Sequence, residues 1–125
     1  MSKRLQTGWA ALSGFLAVAL GAFGAHALKA SLEPALYQAY QTAVEYQFYH
    51  TLVLLFIALT DKLPQAGLNR AYMAFASGIL LFSGSLYAMA LSGERMLGVV
   101  TPLGGLALLA GWALLAYTAI FSDRR

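Results

Sequence analysis

Few side chains here have catalytic or ligating potential within apolar surroundings: His26, Glu45 and His50. Glu45 is the only acid inside an apolar run, and an ionisable group within a membrane segment is a functional candidate that needs a partner. His50 and His26 are its natural partners. Read as a helix, the sequence around Glu45 puts Gln38, Gln41, Thr42, Glu45 and Tyr49 on one stripe about 100° wide, with Tyr46 and His50 flanking it and Gln47 on the opposite side. An unpaired polar group in lipid is costly, so this stripe is expected to face the bundle interior or a water-filled crevice. His26, Ser85, Tyr87 and Thr101 are expected at similar depth. His26, Gln41, Glu45, Tyr49, His50, Tyr87 and Thr101 are therefore expected to line one polar crevice contributed by four helices.

The chemistry such a crevice supports is binding. Two histidines on different helices raise haem or metal, which needs both rings at one depth or a third ligand. His26 falls near the end of its helix and His50 well inside another, with depths expected to differ by about 10 Å or more. No metal and no cofactor is expected. The chain has no cysteine, hence no disulfide, thiolate site or thiol nucleophile. It has no Gly-rich phosphate loop, no His-Glu-x-x-His and no nucleophile elbow, and no enzymatic activity is expected.

The elements that position these residues follow from composition. Of 125 residues, 60% are hydrophobic and 10% charged, too few charges to cover a soluble surface. One crossing takes about 20 apolar residues, so the chain accommodates four. The runs lie at about 5–28, 41–60, 71–91 and 97–121. Ser31-Leu32-Glu33-Pro34 is a helix start signal, so the second helix is expected to begin at Pro34, with 34–40 in the headgroup zone where Tyr37 and Tyr40 are favoured. Asp61 to Gly67 reads as a loop and Ser92-Gly93-Glu94-Arg95 as a tight connection. The fold class is all-α, a single integral membrane four-helix bundle. Lys3 and Arg4 before an apolar run ending at Ala25-His26-Ala27 imitate a signal peptide, but the run exceeds the usual length and is read as retained.

The eight basic residues are scattered beside apolar runs and form no patch, so nucleic acid is not an expected partner. Lys3, Arg4, Lys62, Arg70, Arg124 and Arg125 fall on the side of both termini, against Lys29 and Arg95 on the other. By the positive-inside rule the termini are cytoplasmic. Small residues at helical spacing are expected to let helices approach: Ala10, Gly14, Ala17, Gly21 and Ala25 in helix 1, Ala74, Ser77, Gly84 and Ala88 in helix 3, and Gly104, Ala107 and Gly111 in helix 4.

The segments Gly21-Ala22-Phe23-Gly24-Ala25-His26, Tyr46-Gln47-Phe48-Tyr49-His50-Thr51-Leu52 and Ser77 through Tyr87, with Ala90-Leu91-Ser92-Gly93, Thr101-Pro102-Leu103-Gly104-Gly105 and Gly111-Trp112, resemble a known family. It is the family of small membrane proteins of unknown function that includes human transmembrane protein 256 and bacterial inner-membrane relatives. The resemblance spans nearly the whole chain, in order. It implies a four-span bacterial inner-membrane protein with the first run retained, and marks His26, His50, Tyr87 and the Pro102-Gly104-Gly105 turn as motif positions. It implies no activity.

The expected function is therefore a non-enzymatic multi-pass membrane protein that binds a lipid, a small amphipathic ligand or a partner membrane protein, a second copy included, through the crevice in its non-cytoplasmic half. The same ionisable residues allow two alternatives. One is a small transporter or proton-coupled channel, which at four short helices needs an oligomer. The other is an accessory redox subunit holding quinone or haem near His50, Glu45 and Tyr87.

Overall fold

Ser2 opens the first helix: its hydroxyl accepts from the Leu5 amide at 3.1 Å, satisfying a donor that the first turn leaves free. The computed structural model describes residues 1–122. It contains four helices long and apolar enough to cross a bilayer: α1 Lys3–Leu28, α2 Pro34–Leu59, α3 Gln65–Ser92 and α4 Arg95–Phe121. No strand occurs among the described residues. The fold is all-α. Arg124 and Arg125, used in the charge count, lie outside the described residues.

Pro34 occupies the first turn of α2, where a missing N–H breaks no helical bond. At the other end of α2 the Lys3 ammonium donates to the carbonyls of Ile57 and Thr60, at 2.8 and 2.9 Å. A cation there complements the helix dipole and ties the start of α1 to the end of α2. Gly93, at φ 78°, closes α3 in the left-handed region that favours glycine. A short tight turn over Arg95–Val99 then leads into the α-helical part of α4 at Thr101. Beside it Arg95 pairs with Glu33, both side chains more than half exposed.

The α3 helix begins at Gln65, ahead of the apolar run from Ala71, so Gln65 to Gly67 are helical and not loop. The reason is packing: Gly67 is buried so close to α4 that a β-carbon on it would lie 2.3 Å from the Thr118 hydroxyl. Helices α2 and α3 pack on each other in the middle, with α1 along α2 and α4 along α3. Ile57, Leu68, Ala71 and Phe75 form the centre of the apolar core, each fully buried.

Small residues do let the helices close, though not always the expected ones. In α1 the line Ala10, Gly14, Ala17, Gly21 continues at Gly24, which is buried, and not at Ala25, which is exposed. The Tyr40 ring fills the space above Gly24, where a β-carbon would come within 2.4 Å of it. In α3 the expected line fails: Ser77 and Ala88 are exposed and nothing lies within 4 Å of a β-carbon on Gly84. Gly67, Ala71 and Gly78 are buried instead. A wide turn over Ile79–Ser83 interrupts the regular 3.6-residue periodicity from which the expected face was drawn.

Candidate functional site

The polar side chains divide into a bonded interior and an outward ridge. Gln47 of α2, only 5% exposed, donates through Nε2 to the Ser13 carbonyl of α1 at 2.9 Å. Its Oε1 accepts from the Tyr87 hydroxyl of α3 at 2.6 Å. The Ser13 and Thr51 hydroxyls share a bond of 2.7 Å. One amide thus joins three helices with donor and acceptor both used, the role such groups play in helix association in lipid. Tyr40 packs edge-on to Tyr87, centroids 5.4 Å apart, and donates to the Leu20 carbonyl at 2.5 Å.

His50 is also buried, at 6% exposure. Its Nδ1 lies 2.8 Å from the Tyr46 carbonyl, and its Nε2 accepts from the Trp112 indole N–H of α4 at 3.1 Å. A carbonyl on one side and a donor on the other fit the tautomer with its proton on Nδ1. The ring packs against both Phe75 and Trp112, centroids at 5.7 and 5.8 Å, and those two rings also touch each other at 5.2 Å. Thr101 bonds Ser85 at 2.6 Å, just past the wide turn of α3, and Ser83, its last residue, donates to the Ala43 carbonyl at 2.7 Å, so α3 is held to both neighbours there.

His26, Gln41, Glu45 and Tyr49 are exposed. The structure therefore corrects the expected crevice: His50, Tyr87 and Thr101 sit in interior contacts, while the Gln41, Glu45, Tyr49 stripe lies on the outside of α2. The inward face is Ala43, Gln47, His50, Leu54 and Ile57. Those polar groups turn inward that meet a partner there, Ser13 and Tyr87 for Gln47 and Trp112 for His50. Val44 stands beside Gly21 and Tyr40 beside Gly24, so His26 lies beyond Glu45 by some six residues, about 9 Å along the axis. The two do not meet. Among the described residues no group of three His, Asp or Glu is placed to hold a metal.

Glu45 lies well inside the helix. It stands about 16 Å from Pro34 and about 21 Å from Leu59 at 1.5 Å per residue, near the middle of α2. Beside it a groove of about 200 Å³ runs between α1 and α2, lined by Gly21, Ala25, Tyr37, Gln41, Val44 and Glu45. The one ion pair among the described residues is Glu33 with Arg95, and no hydrogen bond reaches the Glu45 carboxylate within them.

Ser13, Gln47, Thr51 and Trp112 carry the interior network and were not expected there. Gln47, alone on the side of α2 away from the stripe, and Ser13, a hydroxyl beside Gly14 in a small-residue line, were the available signals.

The family described as "Protein of unknown function (DUF423)" matches residues 20–105. Over 126 aligned residues, 100% of this chain and 96% of the relative, the sequence is 43% identical to the UPF0382 inner membrane protein YgdD of Escherichia coli K12. It is 44% identical over 107 residues to a UPF0382 membrane protein of Haemophilus influenzae, 86% of each chain. With the UPF0382 membrane protein YwdK of Bacillus subtilis it shares 42% over 113 residues, 88% of this chain and 91% of that one. No solved structure matches.

Proposed function

The chain belongs to the DUF423 family, whose function is unknown, and we propose from its own residues that it is a non-enzymatic, multi-pass protein of the bacterial inner membrane that docks a transmembrane helix of a partner protein. The docking site is the groove between α1 and α2, with Glu45 as its polar anchor. The termini face the cytoplasm, and the groove opens toward the opposite half of the bilayer.

The observation that carries this reading is Glu45, a carboxyl exposed on the outer surface of α2 near the middle of that helix. With a hydrocarbon core of about 30 Å centred on α2, it lies about 13 Å inside the boundary. An acid at such a depth costs about 3 kcal/mol to insert, and these groups persist where a partner satisfies them. Ala25, small and exposed, leaves room for a neighbouring backbone to approach, while Gly21 packs against Val44 of α2. Gln41 and Tyr49, one turn to either side, add hydrogen-bonding groups along the same ridge. At about 200 Å³ the groove falls below the usual range of small-molecule sites, roughly 300–1,000 Å³, which favours a helix laid against it over a ligand enclosed by it.

A photo-crosslinking side chain at Gln38, exposed on this ridge, tests the reading in native membranes. One discrete adduct is expected, retained in Glu45→Gln and lost in Glu45→Leu. An adduct unaffected by Glu45→Leu overturns the proposal, and one composed of this chain alone identifies the docked helix as a second copy.

A further inference from the structure

A second depression lies between α1 and α3, about 390 Å³ in volume and within the range of ligand sites. Trp9, Leu12 and Leu16 of α1 face Met73, Ala76 and Leu80 of α3 across it, and Gln47 and Leu54 of α2 form its floor. At the Lys3 end the two walls touch: Tyr72 donates to the Gln6 carbonyl at 2.7 Å and Gln6 to the Asn69 side chain at 3.1 Å. Past that contact the cleft opens sideways to the surrounding bilayer. Gln47 is bonded to Ser13 and Tyr87, so the floor presents an amide whose oxygen and nitrogen are both engaged; the Ser13 and Tyr72 hydroxyls in the lining are likewise bonded, and the surface left to a ligand is mostly apolar.

Size and direction select the occupant. From Trp9 to Leu16, and from Met73 to Leu80, the walls run about 10 Å along the helix axes. The slot thus extends from near the headgroup border to mid-depth, parallel to the lipid chains. A helix about 10 Å across and as long as the slot would displace about twice its volume, whereas an extended acyl chain fits. Charge selects the headgroup. Arg70 is exposed one turn before Met73 on α3, at the headgroup end of the cleft, while Lys3 is committed to the α2 carbonyls. Arg70 does not line the cleft itself, but an exposed basic side chain at the membrane surface attracts an anionic headgroup, and a guanidinium pairs with phosphate through two parallel hydrogen bonds.

We propose that the α1–α3 cleft holds one acyl chain of an anionic phospholipid whose phosphate pairs with Arg70.

The test is native mass spectrometry of the full chain released from detergent with phosphatidylglycerol or phosphatidylcholine of identical chains added. One retained lipid is expected, with phosphatidylglycerol favoured about fivefold, as a single basic residue at an anionic surface supplies. Arg70→Gln should reduce phosphatidylglycerol retention to the phosphatidylcholine level, and Arg70→Lys should restore part of it. Ala76→Phe and Leu80→Trp, which fill the slot, should remove retention of both lipids. Leu80 is 75% exposed, so its enlargement disturbs no buried contact and keeps the test valid if Ala76→Phe fails to fold. Equal retention of the two lipids by the unmodified chain overturns the pairing with Arg70, and retention unchanged in Leu80→Trp overturns the cleft. Glu45→Leu should leave lipid retention as it was, because the two sites are independent.

Discussion

Gly104 of α4 and Phe82 of α3 pack backbone against backbone: a β-carbon on Gly104 would lie 2.2 Å from the Phe82 amide nitrogen. No rotamer change relieves such a contact, so the helices must separate. Gly104→Ala should therefore destabilise the protein by about 2–3 kcal/mol, in the range of overpacked cores. Gly84→Ala, immediately after the same wide turn but with nothing within 4 Å of the added carbon, should be neutral or slightly stabilising. Thermal unfolding of both variants in one detergent measures the contrast.

The bond from Trp112 to His50 links α4 to α2 directly. Trp112→Phe keeps an aromatic ring against Phe75 and should cost about 1 kcal/mol, while His50→Leu leaves the indole N–H without its acceptor and should cost about 1–3 kcal/mol. In a double-mutant cycle the pair should show a coupling of about 0.5–1.5 kcal/mol. Additive losses would mean that the two residues act only by packing.

For Gln47 the asymmetry between one lost partner and two decides the outcome. Gln47→Leu strands the Tyr87 hydroxyl in the interior, at a cost of about 1–3 kcal/mol. Adding Tyr87→Phe removes the stranded group, so the double variant should be more stable than Gln47→Leu alone. A double variant less stable than Gln47→Leu by the full cost of Tyr87→Phe would contradict the network.

The divided readings of these residues show what the sequence could and could not specify. Helix number, the start at Pro34 and the turn at Gly93 follow from length, capping and turn chemistry, which are local. The inward face of α2 does not. Polar groups occupy both sides of that helix, Gln41 and Glu45 on one and Gln47, His50 and Thr51 on the other, so polarity alone gives no direction. The choice depends on which side meets Ser13, Tyr87 and Trp112, and that is known only once three other helices are placed. Similarly, the wide turn at Ile79–Ser83 has no marker in residue type, yet it breaks the periodicity that joined Ser77 to Gly84 and Ala88 in one line.

Orientation is open to direct measurement because the chain has no cysteine. With the termini cytoplasmic, Ser92→Cys should react with a membrane-impermeant maleimide added to spheroplasts, and Lys62→Cys should react only after permeabilisation. Both positions are exposed, so the opposite pattern would invert the topology.

The Ser13–Thr51 bond closes α1 onto α2, and the glycine contacts at Gly67, Gly78, Gly104 and Gly111 close α3 onto α4. Each hairpin thus holds the contacts that define it, and the two halves meet chiefly along α2 and α3, with the Tyr72–Gln6 and Trp112–His50 bonds added between them. For biogenesis this makes the hairpin the unit of insertion: each enters and leaves on the same side, so neither half depends on the other to complete its topology. Covalent continuity at the joint near Asp61 then becomes dispensable, and fragments 1–61 and 62–125, made as separate chains in one cell, should find each other in the membrane and rebuild the native fold.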